Sequence, residues 1–341
     1  MSLAVRSKQR RSNAAQSLSQ VVRWYLELRQ KSDGELPFYC RQEMVGHFAV
    51  EPEALAQGED EALFRLFVGL SMFQALRDVV IMRQQRSAPA KAVRRVADLP
   101  ALKRAVAGQR CRVLRSSEFE ELCDVSKHEG AVDCTTRPGA RCHVKDSTVV
   151  FNRMGDMGKL PTAALLRVWR KGGTREVLRA VCATESSPTR RAGLLVARFA
   201  EVHRVGEKLA TMFVSALSTP VIAPGLSPWF PLVDGNDLVV VDTNVARAVD
   251  ALREPTAPRT YQARADWLRG RAAELDLREF SPRLPRTSAR FVQEALYKYC
   301  SSSNRRAAED PCAKRADRCA TCVATLCPFG SEKGVARGLS R

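Results

Sequence analysis

The sequence predicts an all-α protein. Apolar residues recur at helical spacing in segment after segment, and no stretch alternates apolar and polar residues long enough to build a sheet. No internal repeat is visible. The chain has 341 residues, 45% of them apolar, enough for one large domain or two ordinary ones with packed cores.

Residues 1–16 hold Arg6, Lys8, Arg10 and Arg11 and no acid, and predict a disordered basic arm. From Leu18 to Arg29, Val21, Val22, Tyr25, Leu26 and Leu28 fall at helical spacing. Residues 61–85 are apolar almost all round, as expected of a helix buried on most faces. A link containing Pro and Arg follows at 86–104. Residues 105–150 break the pattern with scattered cysteines, two histidines, a turn-rich patch at Thr135–Arg141 and a β-branched run at Ser147–Phe151. They read as an irregular insertion with a short hairpin. Helical patterning returns at 161–170, 174–183, 189–201, 208–217, 245–252, 260–276 and 287–300. A loop carrying Pro220, Pro224 and Pro228 interrupts it, and a short apolar run, Leu238–Val241, leads into Asp242.

The longest apolar stretch, Leu63 to Met82, is broken by Arg65, Gln74, Arg77 and Asp78, too polar for a membrane span. The N-terminus lacks the apolar core of a signal peptide, so a soluble cytoplasmic monomer without a membrane partner is expected. The charge is lopsided: 55 Lys+Arg against 37 Asp+Glu, or +18. Such a field attracts polyanions, and arginine's planar fork suits phosphate, which makes nucleic acid the expected partner. A solubilising surface accounts for the same charge.

Eleven cysteines are many for a chain in a reducing compartment, where clustered thiols read as metal ligands. Cys40, Cys182 and Cys300 stand apart and are expected to be small buried apolar residues. Cys312, Cys319, Cys322 and Cys327 form C-x6-C-x2-C-x4-C in one short loop. A single C-x-x-C pair within such a loop suits a [4Fe–4S] cubane, whose four irons each take one thiolate. Structural zinc more often takes two separated pairs, and stands as the other metal reading. Lys314, Arg315 and Arg318 decorate the loop, either to offset cluster charge or as solvated side chains. In the insertion Cys111, Cys123, Cys134, Cys142, His128 and His143 include no C-x-x-C pair. That segment is read as an element without metal in preference to a second metal site.

The cysteine loop resembles that of the endonuclease III family of DNA glycosylases, whose pattern is C-x6-C-x2-C-x5-C. Three further segments resemble the same family. FAEVHRVGEKLATMF (199–213) is similar to its helix–hairpin–helix, usually L-P-G-V-G-x-K-x-A, with His203 and Arg204 standing for Pro and Gly. VVVDTNVARAV (239–249) is similar to its V-D-T-H-V-x-R segment, with Asn244 for His. GLSMFQALRD (69–78) is similar to the family's buried helix, whose glutamine, here Gln74, fills the gap left by a flipped base. The resemblance covers roughly 17–85 and 155–330.

The resemblance implies a two-lobed helix–hairpin–helix glycosylase fold. Residues 60–104 and 151–238 would form a six-helix barrel, and residues 17–59 and 239–330 the cluster-bearing lobe. The implied activity is excision of a damaged base from double-stranded DNA, with cleavage at the abasic site. Lys208 would attack the sugar and Asp242 would stabilise the charge that develops on it. Gln74, Arg204 and Gly206 would contact DNA, and Gly206 would supply the turn. Each residue has a plainer use: Asp-Thr before a helix is a common N-cap, a lysine at a helix start binds phosphate, and Gln74 marks a helix boundary. A glycosylase without lyase activity, or a non-catalytic iron–sulfur DNA-binding protein sensing redox state, are the alternatives.

Overall fold

The computed structural model describes residues 3–31, 35–109, 111–115, 119–123, 125, 133–134, 137–148, 150–151, 155–307 and 323–329. Helices dominate. They run α1 (Leu3–Lys31), α2 (Gln42–Val45), α3 (Pro52–Ala56), α4 (Asp60–Ser71), α5 (Asp78–Ser87), α6 (Ala90–Ala97) and α7 (Leu99–Gly108). After α8 (Phe119–Leu122) come the antiparallel pair β1 (Asp133–Cys134) and β2 (Arg137–Arg141), then α9 (His143–Thr148). The chain continues as α10 (Leu160–Arg167), α11 (Gly173–Thr184), α12 (Pro188–Ala200), α13 (Glu207–Ser218) and α14 (Thr243–Leu252). It ends in α15 (Tyr261–Ala272), α16 (Ala289–Cys300) and α17 (Ser302–Ala307). Among the described residues no helix is long and apolar enough to cross a membrane.

The residues group into two compact units, Met1–Glu35 with Asn236–Arg341, and Leu36–Gly235. Residues 36–59, grouped by sequence with the N-terminal helices, fall in the second, where α2 and α3 pack on α5 and α4.

The second unit is built around aromatic rings. Phe67 of α4 meets Phe213 of α13 at 5.0 Å and Trp169 at 5.4 Å, and Phe199 of α12 meets Phe213 at 4.9 Å. These rings are buried, and edge-to-face pairs of this kind add about 0.5–1.5 kcal/mol each beyond their area. Gly173, at φ 72°, lies so close to the Asp60 carboxylate that no Cβ fits there. Asp60 in turn accepts from the Thr174 backbone N–H at 3.3 Å and hydroxyl at 3.2 Å, locking α11 to α4.

In the first unit α1 packs along α16. Tyr25 meets Phe291 at 5.3 Å and Trp24 meets Tyr299 edge-on at 5.1 Å. Helix α14 packs against both α16 and α15, with Val245, Ala248 and Val249 buried.

Four sequence expectations are corrected. The basic segment 1–16 is helical from Leu3 onward: nothing between residues 3 and 31 is Gly or Pro, and Ala, Leu, Arg and Gln favour helix. The link 86–104 folds as α6 and α7 because Pro89 and Pro100 sit at helix starts, where a missing N–H costs nothing. The continuous helix over 61–85 is broken at 72–77. There Ser71 turns its hydroxyl back to the Phe67 carbonyl at 2.7 Å, and Ala75 takes a left-handed φ of 61°. In the insertion the hairpin forms at the turn-rich patch, but Ser147 and Thr148 close a helix.

Candidate active site

Helices α12 and α13 form a hairpin joined by residues 201–206. Gly206 is not its bend. It has φ −67° and ψ 177°, extended values any residue adopts, and nothing lies within 4 Å of where its Cβ would be. The left-handed residue is Arg204, at φ 63°, where the resembling motif has its first glycine. A non-glycine residue held there costs about 1–2 kcal/mol, so its surroundings must hold it. Gly206 serves as the N-cap of α13, exposed and bare, so another backbone or a phosphate can approach its helix start.

Two side chains from outside hold this turn. Asp156, in the 3-10 turn Gly155–Lys159, accepts from Arg204 Nε at 2.5 Å and faces His203 Nε2 at 3.0 Å. Burial pushes the Asp156 carboxyl up, but the hydrogen bond from Arg204 and the neighbouring positive charge outweigh it and hold it below the usual range. Burial keeps His203 below its ordinary value, so the neutral imidazole donates Nε2–H to Asp156. Gln74 Nε2 donates to the carbonyl of Arg204 at 3.2 Å.

Gln74 belongs to the break between α4 and α5. Its amide also donates to Ser71 O at 2.7 Å, satisfying a carbonyl left open at the end of α4, and lies 3.1 Å from Met157 Sδ. One residue earlier, Phe73 offers its carbonyl to Lys208 Nζ at 2.9 Å. Lys208 stands in the first turn of α13, half-buried. The second unit thus brings Gln74, Arg204, Gly206 and Lys208 together, four of the residues singled out from sequence.

Asp242 lies in the first unit. It is the N-cap of α14, accepting from the Val245 N–H at 2.7 Å, and is half-buried. In the same unit Arg247 donates from Nη2 to the Cys300 carbonyl at 2.6 Å, closing the end of α16.

Of the four cysteines expected to hold a cluster, Cys327 is described; Cys312, Cys319 and Cys322 lie outside the described residues. Among the described residues no group of three or more His, Cys, Asp or Glu is placed to hold a metal. The ground around Cys327 is well made. Val323 N–H donates to Tyr299 Oη at 3.0 Å, and Val323, Leu326 and Phe329 are buried. Arg305, fully buried, lies 4.0 Å by Nη1 from Cys327 Sγ, with its guanidinium over the rings of Tyr299 at 4.5 Å and Trp24 and Phe329 at 5.6 Å. A buried cation beside this sulfur would offset the negative charge of a bound cluster, so the described part of the loop suits a cluster ligand.

No family model, curated protein or solved structure significantly matches the chain.

Cys40 and Cys300 are buried, and burial pushes each thiol up to about 12, in keeping with small apolar residues. Cys182, expected to be buried, is partly exposed on α11. In the insertion His143 is buried with Nε2 unpartnered among the described residues, while His128 lies outside them. Sequence reasoning missed Asp156 and Met157 altogether. A lone Asp in a Gly-containing segment carries no periodic signal, and only the fold brings it to the hairpin.

Proposed function

We propose that this chain is a base-excision glycosylase that flips a damaged base out of duplex DNA and removes it, with strand cleavage through Lys208. The observation that carries the reading is the convergence of Gln74, Arg204, Gly206 and Lys208 on one patch, from segments more than a hundred residues apart in sequence. Each has a part in that chemistry. Gln74 fills the space a flipped base leaves, offsetting some of the few kcal/mol of lost stacking. The bare N-terminus of α13 and Arg204 hold a phosphate. The Asp242 carboxylate stabilises positive charge on the sugar as the glycosidic bond breaks and the base departs. The Lys208 amine then bonds to C1′, loses a proton to become a Schiff base with the opened sugar, and allows β-elimination of the 3′-phosphate.

Cys312, Cys319, Cys322 and Cys327 would hold a [4Fe–4S] cluster, which supplies a structural pin for the C-terminal loop. The net charge of +18 suits a polyanionic substrate.

The hydrogen bond from Lys208 to Phe73 O favours a second reading, a glycosylase without lyase activity, because a lysine so used is a strut. Borohydride trapping on an abasic duplex, run beside base release from duplexes each carrying one modified base, decides between them. Trapping with release supports the first reading and release alone the second. Neither, in a folded protein, removes both.

A further inference from the structure

A turn beyond the insertion reaches the hairpin. Gly155–Lys159 is packed hard against α9: a Cβ on Gly158 would fall 2.8 Å from the Thr148 backbone nitrogen, so no other residue fits. Lys159 is buried and donates to the Glu120 carbonyl at 2.9 Å, and Glu120 also pairs with Arg167 of α10 at 2.8 Å. From this anchored turn two consecutive residues touch the candidate site: Met157 meets Gln74, and Asp156 meets His203 and Arg204.

The form of the arginine contact matters. A guanidinium can be gripped end-on by both terminal nitrogens, or side-on through Nε. Asp156 takes Nε at 2.5 Å, and among the described residues no other group engages the fork. Arg204 is half exposed, at 52%, while Asp156 is at 23%. The carboxylate therefore fixes the direction of the side chain while its terminal nitrogens stay open to a phosphate, which they can bind in two-pronged fashion. His203 occupies the second carboxylate oxygen and stops Asp156 from rotating away.

We propose that Asp156 is a positioning residue for DNA binding: from the turn beyond the insertion it buttresses Arg204 side-on, so that the hairpin turn presents a pre-aimed guanidinium to a backbone phosphate. This also gives the turn Gly155–Lys159 a task, that of bracing the hairpin where the resembling motif relies on Pro-Gly. Holding Arg204 at φ 63° and aiming its fork are one act, since the same carboxylate contact opposes both relaxation of the backbone and swinging of the side chain. The inference rests on the DNA reading above.

The test uses the full chain and a duplex carrying a tetrahydrofuran abasic analogue, with binding followed by fluorescence anisotropy across a salt series. Asp156→Ala should weaken binding about 5-fold and lower the slope of log K against log salt by about one, the loss of one phosphate contact. Arg204→Ala should do the same, and the double variant should lose no more than either alone. Arg204→Lys, which keeps the charge but lacks the fork, should behave like Arg204→Ala; it also stands in should Asp156→Ala fail to fold. Tighter binding by Asp156→Ala would mean that the carboxylate merely opposes DNA. Unchanged binding with a lower melting temperature would make it a brace for the fold alone, and wild-type affinity in Arg204→Lys would remove the need for a fork. Each of these overturns the buttress and leaves the glycosylase reading standing. A wild-type chain indifferent to duplex DNA overturns the glycosylase reading instead, and the buttress with it.

Discussion

Lys208 donates from Nζ to the carbonyl of Phe73 at 2.9 Å, the residue beside Gln74. One hydrogen bond thus fixes the candidate nucleophile to the segment that carries the candidate gap-filling side chain. If the lysine attacks a sugar, this bond must open in the DNA complex. Lys208→Gln should abolish borohydride trapping and strand nicking while DNA binding persists. Undiminished trapping by the folded variant would take Lys208 out of the chemistry.

Asp242 has an evident structural duty as the cap of α14. Asparagine caps about as well, within a few tenths of a kcal/mol, so Asp242→Asn separates the two roles. It should melt near the wild type and release base several hundred-fold more slowly, as loss of about 3–4 kcal/mol of charge stabilisation implies. Single-turnover release at the wild-type rate would leave Asp242 a cap and nothing more.

Stability should fall as pH drops below about 6.5. Burial holds His143 and His203 below that ordinary value, so the unfolded chain binds their protons first. Their contribution is whole above 6.5 and is lost as pH falls toward their folded values. Denaturant melts at pH 7.5 and 5.5 should show the decline, and His143→Gln should reduce it; a flat profile would contradict the burial.

Ala75 sits exposed at φ 61° in the break between α4 and α5. Ala75→Gly should relieve the strain and, after the entropy glycine adds to the unfolded chain, stabilise the protein by up to about 1 kcal/mol. A lower urea midpoint would show that the break is not strained there.

Aerobically purified protein should be brown, absorb near 400 nm and carry about four irons per chain. Replacing the buried Arg305 by Met should lower iron retention during dialysis, since the cation beside Cys327 is gone. Stoichiometric zinc without sulfide in iron-replete expression would overturn the cluster.

Long periodic helices were legible in the sequence: α12, α13, α14 and α16 lie within a residue or two of their expected bounds, because one buried face sets their period. Breaks were less so. Ser71 and Ala75 interrupt a run whose apolar pattern continues through them, and what ends the helix there is a left-handed backbone no periodicity reports. The candidate site was legible as residue types on local motifs. Its bracing was not, because Asp156 acts on Arg204 across 48 positions of chain. The turn was misassigned to Gly206 for the same reason: glycine signals permission for a left-handed bend, and here the contacts around Arg204 impose it.

The split of the first unit between the chain's beginning and its last third has a consequence for synthesis. Leu18, Val21 and Val22 of α1 are buried in the finished unit, which is completed only by residues from Asn236 onward. As the chain emerges, α1 waits while residues 36–235 are made, some 200 positions or roughly 10–40 s at ribosomal rates of about 5–20 residues per second. The intervening unit is free to fold in that time, whereas α1 is a helix with an apolar stripe and no partner. It is the natural foothold for a holdase chaperone during translation, and residues 312–327 are made after the second unit is complete. Any metal that Cys312, Cys319, Cys322 and Cys327 hold would load only after the α12–α13 hairpin has been made.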